Sequence, residues 1–261
     1  MNRIVFSSDA TPLYAWFLPL TAAMWQSVGK RAPLVLLVGT EEEWRRDRAV
    51  ILDALLETGA APVYVPAIDG WRTDAVAQLA RLCAYLLPGV APDDDLQTVD
   101  VDAWPLQSEA FAPRARDLSV MRPGEWGLIP IGYIWGRAAA WRELMGLTAT
   151  TIEAALLEIG GAAPGWGHDE SVAPRQFGRF PADRVEIIER PHNCRGTRLD
   201  RDGWPRHPIP LTGYIDAHLL RPGWTDENWP RLRWVLERLL PPERMAWADA
   251  YRARYLETCG G

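Results

Sequence analysis

The chain has 261 residues, 48% of them hydrophobic and 24% charged, enough apolar material for one substantial core in a single domain spanning 1–261. Its formal net charge of -6 excludes broad electrostatic attraction to nucleic acid or anionic lipid, so any phosphate recognition must be local. Cys83, Cys194 and Cys259 lie far apart without a CxxC pair, which excludes a disulfide framework or structural zinc and fits a reducing cytoplasm.

Arg3 to Ser7 predicts a first strand and Pro12 to Val28 a helix, with Thr11 as N-cap and Pro12 at its first position. The apolar stretch from Pro12 to Met24 does not read as a signal peptide, because Asp9 and Pro12 interrupt its approach and Pro19 lies inside it. It is also shorter than the roughly 20 residues that cross a bilayer, so no transmembrane segment is expected. Leu34 to Val38 is a Leu/Val run typical of a buried parallel strand. Glu41 to Glu57 reads as a helix with acids at its start and Gly59 just past its end. Val63 to Val65 predicts a third strand. Thr73 to Leu87 predicts a third helix, with Val76, Leu79, Ala80, Cys83 and Leu86 at helical spacing. Leu96 to Val99 is the fourth strand.

This alternation predicts an α/β fold with a mostly parallel sheet, helices on both faces, and ligands at the carboxyl ends of the strands. Asp100-Val101-Asp102 stands at such an end, followed by Ala103-Trp104-Pro105-Leu106. Residues i and i+2 of an extended chain share a side, so the two carboxylates can converge on a hard cation. Mg²⁺ or Mn²⁺ takes oxygen ligands of this kind and leaves positions open for phosphate.

Beyond Leu106 the pattern changes. Gln107 to Gly124 reads as a loop, Trp126 to Ile131 as a strand, and Arg137 to Met145 and Thr150 to Ile159 as helices. Gly160 to Gly167 is a Gly/Ala/Pro loop that delivers Trp166-Gly167-His168-Asp169-Glu170. Arg184 to Glu189 predicts a strand, Arg190 to Pro210 a long ordered flap, and Leu211 to Ile215 a short strand before Asp216 and His218. Glu227 to Leu240 and Glu243 to Leu256 close the chain as helices. Most of the fourteen tryptophans are expected in core or rim packing, although indoles also offer flat faces to sugar rings.

Four phrases carry a family resemblance in their order along the chain. They are Gln78-Leu79-Ala80-Arg81-Leu82, Asp100-Val101-Asp102-Ala103-Trp104-Pro105-Leu106, the Trp166-x-x-Asp169-Glu170 sequence and the late His218. Together they resemble GT-A-fold glycosyltransferases, in particular compact metal-dependent enzymes of bacteria and large algal viruses that build surface glycans. The resemblance runs from Ile4 to about Leu240. Gln97 and Thr98 depart from it, being polar where the family has a hydrophobic strand.

The resemblance implies a GT-A-like domain whose first half, 1–106, binds a nucleotide-diphosphate sugar and whose second half, 107–261, binds a glycan or glycoconjugate acceptor. It implies hexosyl or deoxyhexosyl transfer assisted by Mn²⁺ or Mg²⁺. Asp100 and Asp102 would then face ribose and metal, and His218 would complete the metal site, biasing it toward Mn²⁺. Ser7, Ser8 and Asp9 would meet base and ribose, or else form the turn before Thr11. Arg81 would reach a phosphate, or else a local acid. Asp169 is the expected base of an inverting transfer, with Glu170 its competitor; the alternative is that both acids cap a helix starting near Ser171. Of Arg190, Arg195, Arg198, Arg201 and Arg206, one or two would clamp the diphosphate, the rest being solvated or paired with Asp200 and Asp202. A sugar-nucleotide nucleotidyltransferase would share this logic, but the first loop lacks a Gly-rich basic triphosphate signature. A non-catalytic carbohydrate-binding protein would show no metal-dependent nucleotide binding.

Overall fold

The computed structural model describes residues 1–112, 116–123, 131–161, 164–190 and 196–259. Its main sheet has seven strands in the order β3-β2-β1-β4-β7-β6-β8. They are β1 (Asn2–Ser8), β2 (Ala32–Val38), β3 (Ala61–Val65), β4 (Asp95–Thr98), β6 (Leu118–Pro123), β7 (Ile134–Arg137) and β8 (Val185–Arg190). β1 pairs in parallel with both β2 and β4, while β7 runs antiparallel to its neighbours β4 and β6. The sheet is therefore mixed and mostly parallel, as expected, and its direction changes beside β4.

Both faces are covered, which is why β1 and β2 carry the continuous apolar runs Ile4 to Phe6 and Leu34 to Val38. On β1, Ile4 and Phe6 enter one core cluster and Val5 the other. The first cluster is closed by α2 (Leu18–Ser27), α3 (Glu41–Glu57), α8 (Trp229–Leu239) and α9 (Pro242–Cys259). Tyr251 on α9 donates its hydroxyl hydrogen to the Trp16 carbonyl at 2.8 Å, tying the last helix to the turn that precedes α2. The second cluster lies under α4 (Thr73–Ala80), α5 (Ala138–Met145), α6 (Ile152–Gly160) and α7 (Asp169–Phe177). No described helix is long and apolar enough to cross a membrane.

Several boundaries differ from expectation for identifiable reasons. The helix expected over Pro12 to Val28 is two, α1 (Pro12–Ala15) and α2, because the chain turns at Trp16 and Phe17. Pro19 then falls in the first turn of α2, where its missing N–H leaves no bond unmade. Thr11 caps nothing with its side chain; its hydroxyl donates to Asp9 Oδ2 at 2.9 Å. The third helix is α-helical to Ala80 and then tightens into a 3₁₀ segment, Arg81–Leu86. α3 keeps its expected start, with a reciprocal capping box between Thr40 and Glu43.

The expected loop at 107–124 contains β6, and β7 precedes α5 where only a helix was expected. Gly136 on β7 permits their close pairing, since a Cβ there would lie 2.2 Å from the Asp117 carbonyl. Of the strand expected over 126–131, residues 126–130 lie outside the described residues, and Ile131 opens a 3₁₀ turn. Leu211 to Ile215 is not a strand. The strand there is β10 (Asp216–His218), which forms a second sheet with β5 (Ala103–Pro105) and β9 (Arg198–Leu199). Gln97 and Thr98, though polar, are both buried.

Candidate active site

The two sheets meet at a cavity of about 510 Å³, within the range of small-molecule sites. Its floor is the carboxyl end of β1 and the turn that leaves β4. The second sheet fixes what stands beside that turn, because β10 pairs antiparallel with β5 and sets His218 opposite Ala103, the residue after Asp102. The Leu219 N–H donates to the Asp102 carbonyl at 2.8 Å and continues the pairing. The turn is also fastened from the core: the buried Thr21 hydroxyl donates to the Val101 carbonyl at 2.5 Å and accepts from Trp104 Nε1 at 3.1 Å.

Asp102 is buried, and its Oδ2 faces three cationic or potentially cationic groups. Arg201 Nη2 hydrogen-bonds to it, Arg221 Nε lies 3.5 Å away, and His218 Nε2 3.7 Å away. His218 Nδ1 in turn lies 3.0 Å from Asp200 Oδ1. The hydrogen bond from His218 pulls the Asp200 carboxyl down to about 2.

Asp100 does not join this group. Its carboxylate turns to Arg81, whose Nη1 donates to Asp100 Oδ1 at 2.6 Å and to the Val99 carbonyl at 2.9 Å. Arg81 Nη2 reaches Asp169 Oδ2 at 3.1 Å. The guanidinium is buried, so of its two expected partners it has local acids. Partial desolvation works against the charge of Asp100, but Arg81 outweighs it and holds that carboxyl below the usual range. Burial prevails at Asp169, which is raised.

Asp169 and Glu170 open α7 rather than preceding a helix at Ser171. Asp169 Oδ1 accepts from the Glu170 N–H at 3.0 Å, so both of its oxygens are engaged. Glu170 lines the cavity, and its carboxylate has no hydrogen-bond partner among the described residues. Burial, then Asp169 and Asp100, push it above the ordinary glutamate value. Gln78 on α4 secures the loop before these acids, its Oε1 accepting from Gly167 N–H at 2.8 Å. Exposed Trp166 stands at the same cavity.

Ser7, Ser8 and Asp9 also line the cavity. Ser7 donates to the Ala77 carbonyl at 2.5 Å, and the Asp9 carboxylate accepts from the Thr11 and Thr73 hydroxyls at 2.9 and 2.8 Å. The turn reading is thus realised, with the same side chains left bordering the cavity.

Among the described flap arginines, Arg190, Arg198 and Arg201 pair with acids other than Asp200 and Asp202. Arg190 and Arg198 grip buried Asp216, with Arg190 Nη2 at 3.0 Å from Oδ1 and Arg198 Nη2 at 3.0 Å from Oδ2. Tyr133 donates its hydroxyl hydrogen to the same carboxylate and accepts from Arg198 at 2.7 Å. Arg201 goes to Asp102, Arg206 is exposed, and Arg195, like Cys194, lies outside the described residues. Asp200, Arg221 and Tyr133 were not singled out from the sequence. Asp200 was visible only as an acid among arginines, and nothing local marks the others.

No three His, Cys, Asp or Glu side chains come together as a metal-ligating group among the described residues. Asp102 and His218 nevertheless fit an ion. Asp200 takes one ring nitrogen, so the other can present its lone pair beside a carboxylate oxygen, and that mixed N/O set suits Mn²⁺. Of the three expected ligands, Asp102 and His218 approach each other, while the Asp100 carboxylate bonds to Arg81.

No family model and no curated protein sequence matches the chain. Among solved structures it is similar to the galactosyltransferase LgtC in complex with donor and acceptor sugar analogues. That match has a TM-score of 0.51 and 14% identity over 95% of this chain and 100% of that one. The chain has the GT-A fold. The active-site mutant Q189E of LgtC aligns with a TM-score of 0.50 and 15% identity, again over 95% and 100% of the two chains. The apo form of glycosyltransferase GlyE from Streptococcus pneumoniae TIGR4 matches at 0.49 and 15%, over 98% of this chain and 63% of that one. Within this GT-A domain, the cavity occupies the ligand position that open α/β sheets favour, outside the carboxyl ends of strands where the sheet's order reverses.

Proposed function

We propose that the chain transfers a glycosyl group from a nucleotide-diphosphate sugar to a hydroxyl of a glycan or glycoconjugate. The observation that carries this reading is the meeting, in one cavity, of the Asp102–His218 pair, a wall of arginines and the Asp169–Glu170 step. The likeness to a galactosyltransferase supports a hexosyl donor.

In this reading Ser7, Ser8 and Asp9 border the base and ribose. Arg201 and Arg221 take phosphate oxygens, a role that suits forked, permanently charged guanidinium groups. A Mn²⁺ or Mg²⁺ ion held by Asp102 and His218 would neutralise charge developing on the departing nucleoside diphosphate. Asp100 is held by Arg81 at the edge of the same space, where its half-exposed carboxylate borders ribose. Trp166 offers an indole face to the acceptor sugar.

Transfer needs a group to take the acceptor's proton. Asp169 was the expected base, but its carboxylate is shared between Arg81 and a backbone N–H. Glu170, with its raised pKa and no hydrogen-bond partner among the described residues, fits the task better, and Asp169 then fixes the local field. A base acting opposite the departing diphosphate gives inversion at the anomeric carbon.

A thermal-shift panel of UDP, GDP, dTDP and CDP, each with and without Mn²⁺, tests the donor reading. One nucleotide should stabilise the fold in a metal-dependent way, by roughly 2.7 kcal/mol at a hundredfold excess over Kd. No shift with any of the four would overturn the reading. A preference for a nucleoside triphosphate with a sugar phosphate would move the assignment to nucleotidyl transfer.

A further inference from the structure

Arg201 stands between the two side chains that an ion would need. Its Nη2 bonds to Asp102 Oδ2 and meets His218 Nε2, while its Nε donates to the Leu219 carbonyl at 2.9 Å. A guanidinium carries only donors and is always charged. His218 must therefore meet it with the Nε2 lone pair, which agrees with Nδ1–H being given to Asp200. The pair thus already holds a cationic nitrogen in the position from which both could bind a metal. Two cations cannot share it: an ion bonded to both atoms would overlap Nη2, and the charges would repel at short range.

We infer that Arg201 is a displaceable cation, closing the Asp102–His218 pair while nucleotide is absent and leaving it for the diphosphate when the divalent ion enters. This rests on the nucleotide-sugar reading of the site.

Two features make the exchange feasible. Arg221 lies 3.5 Å from the same Asp102 oxygen, so the departure of Arg201 does not leave that carboxylate without a neighbouring cation. Arg201 is also partly desolvated where it sits, its side chain being 26% exposed. The consequence is linkage. Displacing the guanidinium costs free energy when the ion binds alone, and less when a diphosphate receives it, so ion and nucleotide should each strengthen the other's binding.

The test is Mn²⁺ binding without nucleotide, followed by the electron paramagnetic resonance signal of free Mn²⁺, in wild type, Arg201→Met and Arg201→Met/His218→Ala. Arg201→Met should bind Mn²⁺ about tenfold tighter or more than wild type, and the gain should vanish in the double variant. Equal or weaker binding by Arg201→Met overturns the inference, as does a gain that survives loss of His218. If the Met variant does not keep the wild-type circular dichroism spectrum, Arg201→Ala replaces it with the same expectation. The nucleotide panel separates the two readings. A wild type stabilised by a nucleotide with Mn²⁺, beside an Arg201→Met without gain, rejects displacement and keeps the donor assignment. A gain with no nucleotide response rejects the donor assignment, and with it the diphosphate as the place to which Arg201 moves.

Discussion

Asp200 Oδ1 and His218 Nδ1 lie 3.0 Å apart, and this contact decides which ring nitrogen His218 turns toward Asp102. Removing it in Asp200→Ala frees the ring to rotate and change tautomer, so Mn²⁺ affinity should fall by roughly 10–100-fold with the fold retained. The contact also has a pH signature. The Asp200 carboxyl drops from 3.8 to about 2, so its stabilising effect is complete above 3.8 and lost as pH falls toward 2. Acid unfolding followed by circular dichroism should therefore be shallower in Asp200→Ala than in wild type across that interval.

Arg81 joins Asp100 and Asp169 through one buried guanidinium. Arg81→Met removes the described ion-pair partner of buried Asp169 and should cost about 3–5 kcal/mol, read as a lower urea midpoint. Arg81→Lys should recover only part of that loss, because one ammonium cannot reproduce the fork. Wild-type stability in Arg81→Met would mean that the pairing is not what holds these acids.

Glu170→Gln should retain nucleotide affinity and lose turnover by ~10²–10⁴-fold, as expected for a missing general base. In the wild type, the acid limb of kcat/KM should lie above the usual glutamate value of 4.5, because the base acts deprotonated and its pKa is raised. If Glu170→Gln transfers normally and Asp169→Asn is inactive, the base is Asp169. A product of retained configuration by NMR rejects the inverting mechanism for either acid.

Thr21→Val keeps the shape but removes both hydrogen bonds that fasten the Asp100–Asp102 turn to the core. Each buried partner left unpaired costs about 1–3 kcal/mol. The expected outcome is a lower denaturation midpoint together with weaker nucleotide binding, since the turn loses its anchor.

Cys83 is buried, and burial pushes its thiol up to about 12. It should resist alkylation until the protein unfolds, whereas Cys259, partly exposed near the end of α9, should label in the native state. Peptide mapping by mass spectrometry distinguishes the two positions.

The first two strands were legible because Ile4 to Phe6 and Leu34 to Val38 are continuous apolar runs, which suit a sheet covered on both faces. β6 and β7 escaped because they are short and β7 passes into α5 without a turn residue between them. The Asp102–His218 meeting was implied by the family resemblance, but its cause, the pairing of β5 with β10, involves two three-residue strands that no periodicity reveals. The arginines misled for a related reason. Arg190, Arg198 and Arg201 look solvated beside Asp200 and Asp202, yet their acids are Asp216 and Asp102, partners fixed by tertiary structure and not by spacing.

Tryptophan is abundant here, but its distribution is uneven. Trp16, Trp25, Trp44, Trp104, Trp135 and Trp141 are sealed in the interior, while Trp166 is 62% exposed at the cavity. Intrinsic emission will therefore be dominated by shielded indoles and will change strongly when the chain unfolds. A sugar covering Trp166 alters one fluorophore among fourteen. Bulk quenching is thus a sensitive gauge of folding and a dull one of occupancy, and a reporter of ligand must be placed at Trp166 itself.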